Sequence, residues 1–277
     1  VSAPDLLVVD CGTVPYRDAW DLQLRLAERR GAGEIADVLL LLEHPPVYSR
    51  GRRTKPEELP MGAPWYEERG IEVLDTDRGG LVTYHGPGQL VAYPIVDLGP
   101  LGDDVHEYVR GLERVMIGSL AEHGVGAQTI KGLTGVWTDG PPPVPGLGGA
   151  AKKIGSIGVH VSKGITTHGL AVNVDNDLTP FEWVVPCGIE GVAMTSIAAE
   201  GGREASVGAY GATVARHFAE VFGRSGRSAE LREVLGAESA EARSGAGEAV
   251  GAEGAATRNG APEADREAAT ATLGGER

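Results

Sequence analysis

The chain has 277 residues, is 42% hydrophobic and carries a formal net charge of −14 at pH 7. That length buries one sizeable α/β core with little left for a second domain, and the excess of carboxylates argues against nucleic acid, whose phosphates are neutralised by clustered Lys and Arg. No apolar run reaches 18 residues, and no basic segment followed by an apolar one opens the chain, so the reading is a cytoplasmic protein without membrane contact.

In chain order, Leu6 to Val9 and Ala36 to Glu43 are short apolar runs flanked by turn residues and predict buried strands. Between them Tyr16, Trp20, Leu24 and Ala27 recur at helical spacing. Glu72 to Asp75, Leu81 to Tyr84 and Gln89 to Val96 predict further strands. A helix follows Asp103 and Asp104, with Val105, Tyr108, Val109, Leu112, Val115, Met116 and Leu120 on one stripe and an aspartate as N-cap. The segment from Gly140 to Ala151, with four prolines, predicts an exposed loop. Strands at Ile154 to Val161 and Thr166 to Val174 come next, then a helix through Val207, Tyr210, Val214, Phe218 and Val221. The fold expected is a mixed β-sheet with packed helices of the α/β (α+β) type. From Arg224 onward Ala, Glu, Gly, Ser and Arg dominate, too little apolar surface to offset ordering entropy. The expected organisation is a catalytic domain over residues 1–223 and a disordered tail over 224–277.

Cys187 stands in a Pro-Cys-Gly setting, 34 positions after Lys153 in Lys153-Ile154-Gly155-Ser156-Ile157-Gly158. A free thiol has a pKa of about 8.5, so a cation beside it is needed to make thiolate at neutral pH, and a lysine in the same cleft supplies one. The same lysine can move a proton at the leaving thiol or the incoming amine. The plain alternative is a small buried hydrophobe and a surface charge. Against that stands the frame Arg78-Gly79-Gly80-Leu81-Val82-Thr83-Tyr84-His85 followed by Gly86-Pro87-Gly88, where glycines let the backbone approach a ligand. Lys152 precedes Lys153, and because neighbouring strand residues point to opposite faces, only one of them can enter the cleft. Cys11 and Cys187 both read as free thiols in a reducing compartment.

These blocks, with His168-Gly169-Leu170-Ala171-Val172-Asn173, resemble the four signature blocks of the lipoyl(octanoyl) transferases, in the family's order, over about residues 5 to 222. The resemblance implies an acyltransferase that takes octanoyl from octanoyl-acyl carrier protein onto Cys187. It then passes the acyl group to a lysine of a lipoyl domain, in 2-oxo acid dehydrogenase complexes or the glycine-cleavage H protein, for lipoate synthesis. It implies Lys153 as the residue that lowers the thiol pKa and selects it over Lys152. Arg78 to His85, Ser156, Ile157, Gly158, His168, Gly169 and Leu170 would form the substrate-binding walls, with Leu81, Val82, Ile157 and Leu170 in an apolar slot. The implied fold is that of the biotin and lipoate protein ligase catalytic domains.

Zinc spacing and a phosphate-binding G-x-x-x-x-G-K-[ST] loop are both absent from the sequence, so no metal or cofactor is expected. His85 and His168 read as substrate-positioning rather than acid-base groups. An ATP-dependent lipoate or biotin ligase is the rival in the same fold. Lipoate ligases tend to carry a His-Asp pair after the glycine turn, where this chain reads His85-Gly86-Pro87-Gly88-Gln89. A non-catalytic acyl-binding scaffold is the other. Arg50, Arg52, Arg53 and Lys55 form a basic cluster on an acidic chain, either a solvated loop or a docking point for an anionic partner.

Overall fold

A computed structural model describes residues 5–143, 151–184, 192–203 and 206–236. Among the described residues the main sheet has eight strands. Five lie in its centre and near edge: β1 (Asp5–Thr13), β2 (Asp37–Glu43), β6 (Gln89–Ile95), β9 (Lys153–Ser162) and β10 (Ile165–Asn173). β7 (Ala127–Ile130), β8 (Leu133–Thr138) and β11 (Ser225–Ser228) complete it, in the order β11-β1-β2-β6-β10-β9-β8-β7. The β11-β1-β2 end is parallel and the remainder antiparallel. A second sheet has the order β4-β3-β5, from β3 (Val47–Arg50), β4 (Glu72–Asp75) and β5 (Thr83–His85).

Helices cover both faces of the main sheet. α3 (Val105–Glu122) and α4 (Val207–Val221) pack over Leu39, Leu41, Leu90, Ala92, Leu170 and Val172. α1 (Tyr16–Gly31) packs over Val38, Leu40, Leu42, Val91, Ile95 and Ala171. Two apolar faces explain why Val38 to Leu42 is an unbroken apolar run rather than an alternating one. Asp104 caps α3 as its sequence position suggests, accepting the N–H groups of His106 at 2.8 Å and Glu107 at 3.0 Å. Ser206 caps α4 from Ala209 N–H at 3.2 Å. A short helix, α2 (Ala63–Glu67), packs on the small sheet, where Tyr48, Tyr66, Tyr84 and Phe181 form an aromatic cluster.

Two expectations shift. The strand placed at Leu81 to Tyr84 begins instead at Thr83, because Gly79, Gly80 and Leu81 belong to a loop pinned to β9 by Gly79 N–H to the Val159 carbonyl at 2.9 Å. The tail expected to lack structure from Arg224 begins with β11, parallel to β1, and α5 (Leu231–Leu235), whose Val234 is fully buried. Its anchor is an ion pair: Arg224 Nε lies 2.7 Å from Asp37 Oδ2, both groups buried, and Asp37 Oδ1 accepts from Arg30 Nε at 2.7 Å. A charged pair that loses water holds only when its bonds are complete, and here the carboxylate has a donor on each oxygen. Residues 237–277 of that tail lie outside the described residues, as do 144–150 of the proline-rich loop. Among the described residues no helix is long and apolar enough to cross a membrane.

Candidate active site

A cavity of about 180 Å³ opens between the two sheets beyond the N-terminal end of α1. Its floor is β6, β10 and β9, and the loop from Arg78 to Val82 forms the wall. Ser156 pairs with Ala171, and Ala171 with Val91, so three adjacent strands present small side chains on one face. Gly158 and Gly169 are opposite each other in the next rung. A Cβ on Gly169 would stand 2.2 Å from the Ala92 carbonyl oxygen, and one on Gly158 would stand 3.0 Å from the Gly79 carbonyl oxygen. Close backbone approach is therefore what these two glycines permit.

Lys153 lies in this cavity, 4% exposed, with its ammonium 5.6 Å from the centroid of the Trp137 ring. Lys152 points elsewhere and pairs with Glu200 at 2.9 Å. Simple alternation counted back from Gly158 and Ser156 would have put Lys152 on the cavity face. What reverses it is a β-bulge: Val136 pairs with Gly155 and Trp137 with Lys153, so Ile154 is an extra residue on β9. Ile154 turns into the core beneath α3 and Lys153 turns to the cavity.

Arg78 is buried and borders the cavity. Its guanidinium donates to the carbonyls of Ser49 at 2.5 Å, Gly79 at 3.0 Å and Leu81 at 2.7 Å, and to Ser49 Oγ at 3.0 Å. The side chain thus fixes the shape of the loop and ties it to β3. His85 is buried, with Nδ1 donating to Gln89 Oε1 at 2.7 Å, which leaves Nε2, 3.3 Å from Ser49 Oγ, as an acceptor. Gln89 Nε2 donates in turn to Asn173 Oδ1 at 2.9 Å, and Asn173 to the Thr195 carbonyl at 2.9 Å. His168 has a left-handed backbone, φ +56. Its N–H donates to Gln23 Oε1 at 2.6 Å, its Nε2 to Asp77 Oδ1 at 2.8 Å, and Tyr16 OH lies 3.4 Å from its Nδ1.

Beneath them His44 donates Nδ1–H to the Val14 carbonyl at 2.6 Å and accepts from Tyr93 OH at 2.8 Å. Burial lowers the pKa of all three imidazoles: His44 to about 4, His85 well below the usual value, and His168 below it despite the opposing bond to Asp77. The Asp77 carboxyl is held below its ordinary range, chiefly by the His168 hydrogen bond. The imidazoles are accordingly neutral, and each has a fixed tautomer that orients the ring rather than stores a proton.

Of the residues expected at the site, Arg78, Gly80, Leu81, Val82, Thr83, His85, Lys153, Ser156, Ile157, Gly158, His168, Gly169 and Leu170 border the cavity. Two do not. Tyr84 faces the other side of the small sheet, with its ring 5.5 Å from both Tyr48 and Phe181. The alternation that brings Thr83 and His85 to the cavity requires this. Gly79 is held against β9. Ile157 and Leu170 touch the cavity, but their side chains belong to the core under α3 and α4, so the expected apolar slot is differently built. Val91, Tyr93, Ala171, Tyr16 and Trp137 supply apolar surface instead. Cys187 lies outside the described residues, within 185–191. The flanks are described: Val184 packs with Val82 and Tyr84, Val192 packs with Trp137, and Met194 forms a parallel bridge with Lys153.

Of the basic cluster, Arg50 pairs with Asp75 at 2.7 Å, Arg53 borders the cavity, and Arg52 and Lys55 line a separate depression. Sequence reasoning passed over Tyr16, His44, Asp77, Tyr93 and Trp137, because single polar or aromatic residues on separate elements carry no spacing signal.

Residues 15–219 match the family described as the lipoyl protein ligase A/B catalytic domain. An octanoyltransferase of Chloroflexus aggregans is 49% identical over 199 residues, 72% of this chain and 86% of the relative. One from Mycobacterium tuberculosis is 50% identical over 205 residues, covering 74% and 81%, and one from Salinispora tropica is 45% identical over 217, covering 78% and 96%. Among solved structures, a bipartite lipoate protein ligase from Thermoplasma acidophilum superposes with a TM-score of 0.64 at 19% identity, over 88% of this chain and 92% of that one. A lipoate-protein ligase A bound with ATP gives a TM-score of 0.60 at 17% identity, over 87% and 93%. These structural likenesses establish the fold.

Proposed function

The chain belongs to the octanoyltransferase family, within the lipoyl protein ligase A/B catalytic domain, and is an acyltransferase; from that premise we propose that it moves an octanoyl group from octanoyl-acyl carrier protein, through a thioester on Cys187, to the acceptor lysine of lipoyl domains. Those domains would be carried by 2-oxo acid dehydrogenase complexes and the glycine-cleavage H protein. The observation that carries the reading is the buried Lys153 ammonium in a cavity bordered by three of the four sequence blocks, with Val184 and Val192, on either side of the Cys187 block, packed in the same clusters as the lining residues Val82 and Trp137.

In the first step the Cys187 thiolate attacks the donor thioester carbonyl, the carrier thiolate departs, and a proton reaches it from the lysine ammonium. A cation beside the thiol favours the thiolate, which is the part Lys153 plays. In the second step the acceptor amine attacks the enzyme thioester, Lys153 takes the amine proton, and the Cys187 thiolate leaves as the amide forms. The acyl chain lies along the face of Val91, Ala171 and Tyr93. Each methylene buried there contributes about 0.8 kcal/mol, so an eight-carbon chain gains several kcal/mol over a short one. His85 and His168, neutral and fixed, position the carbonyl. The exposed Arg52, Arg53 and Lys55 beside the mouth suit the acidic carrier protein, which the rest of this acidic enzyme would repel. Charge reversal at Arg52 and Arg53 that left the rate and its salt dependence unchanged would remove this docking role.

The test is intact mass after incubation with octanoyl-acyl carrier protein and no ATP. The wild type gains one octanoyl group, lost on hydroxylamine treatment, and Cys187→Ser forms no thioester. If only ATP with octanoate led to a modified lipoyl domain, the ligase chemistry would replace this one.

A further inference from the structure

On the far side of the sheet from Lys153 lies a buried carboxylate. Glu113 is on α3, 1% exposed, beside Leu112, Val115 and Met116, and its Oε2 accepts from Arg110 at 2.6 Å. Its Oε1 accepts the backbone N–H of Gly135, on β8, at 3.2 Å. A strand N–H ordinarily lies in the sheet plane and serves a neighbouring strand. This one is turned out of the plane, for a local reason: Gln128 pairs with Trp137 but Ile130 pairs with Leu133, so β8 bulges between those rungs, and Gly135 has φ +111. A residue with a Cβ rarely adopts that backbone, and a Cβ there would stand 2.5 Å from the Gly155 carbonyl oxygen.

The trans peptide is planar, with its C=O opposed to its N–H. With the Gly135 N–H aimed at α3, the Thr134 carbonyl is aimed at the other face. Thr134 borders the cavity there, and Lys153 passes over Gly135: a Cβ on that glycine would be 2.9 Å from Lys153 Cε and 3.4 Å from Nζ. We propose that Glu113 is a positioning residue for Lys153: by holding the Gly135 N–H it fixes the turn of β8 over which the Lys153 side chain passes, and with it the direction of the amine. The inference rests on the role given to Lys153 above. A carboxylate on a core helix of this kind is retained at a desolvation cost, which its bonds to Arg110 and to Gly135 offset.

The experiment measures the rate of Cys187 alkylation by iodoacetamide against pH, by peptide mass, in the full-length chain. Variants are Lys153→Met, Glu113→Leu, Glu113→Gln and Gly135→Ala, each checked for folding by its thermal melt. Lys153→Met raises the pH midpoint. Glu113→Leu raises it in the same direction, slowing alkylation at pH 7 by about tenfold for each unit of midpoint. Glu113→Gln, whose amide oxygen still accepts from Gly135, keeps the wild-type midpoint. Gly135→Ala leaves Glu113 in place, forces Lys153 aside and raises the midpoint, which covers the case of an unfolded Glu113→Leu. A wild-type midpoint in folded Glu113→Leu, or in Gly135→Ala, overturns the inference if Lys153→Met still shifts it. If Lys153→Met also leaves the midpoint unmoved, it is the role of Lys153 that fails.

Discussion

Acidification below pH 6.5 removes stability through the buried histidines, and His44 permits the size to be worked out. Both of its nitrogens are used by neutral partners, the Val14 carbonyl and the Tyr93 hydroxyl, and Tyr16 and His85 crowd it at ring distances of 4.9 and 5.6 Å. Its folded pKa is about 4, with burial as the main cause, against an unfolded value of about 6.5. The unfolded chain therefore binds a proton that the native protein refuses between those two values. Stability is complete above pH 6.5, falls as pH drops through that window, and stops falling below the folded pKa. The whole shift is worth about 3 kcal/mol, and about 2 kcal/mol of it is gone by pH 5. His85 and His168 shift in the same direction. Urea unfolding of wild type and His44→Gln at pH 7.5 and pH 5 separates this residue from the carboxylates, which titrate in both proteins. The glutamine can still donate to Val14 and accept from Tyr93 but cannot titrate. Wild type should lose about 2 kcal/mol more than the variant between the two pH values. Equal losses in the two proteins would refute the claim that burial holds His44 neutral.

Further outcomes follow from the site and from the C-terminal segment. Lys153→Met should slow thioester formation by about 100-fold, the range of a lost proton-transfer group, while Lys152→Met, which only loses the Glu200 pair, should stay within about twofold in single-turnover assays. Ala171→Leu should narrow the cavity floor and move chain preference from octanoyl toward shorter acyl groups by about tenfold, read from competing acyl donors. Truncation after Gly223 deletes Arg224, β11 and α5, and should cost about 3 kcal/mol in urea unfolding, whereas truncation after Gly236 should leave thioester formation unchanged.

Elements with two-sided burial or an amphipathic stripe were legible from the chain: β2, β6, β10, α1, α3 and α4 lie close to where periodicity puts them. The strands it passed over are short or polar. β11 reads Ser-Gly-Arg-Ser, with all four residues exposed. Its place comes from backbone pairing to β1 and from Arg224 meeting Asp37, a contact across 187 positions that no local pattern encodes. β7 and β8 are bulged, so their side chains do not keep the alternation that marks a strand. At the site, contiguous motifs gave the walls, but orientation within them did not follow. Tyr84 sits between two cavity residues and faces away. Ile157 and Leu170, the apolar members of their blocks, belong to the core for the same reason.

The lysine shows most plainly why orientation escapes a linear reading. Alternation says that Lys152 and Lys153 diverge, and it cannot say which one enters, because the answer depends on one extra residue in β9 relative to β8. The departures from regular geometry collect here: the bulge at Ile154, the positive φ of Gly135 beside Lys153, and the positive φ of His168 one strand over. Each is held by a named partner, with Ile154 packed in the core, Gly135 N–H on Glu113 and His168 N–H on Gln23. A non-glycine residue in the left-handed region costs on the order of 1–3 kcal/mol and persists only where its surroundings over-determine it. Local rules thus fail where the chain has been bent to aim functional side chains, and the residues that sustain the bends, Glu113 and Gln23, lie on helices far in sequence from the motifs they serve.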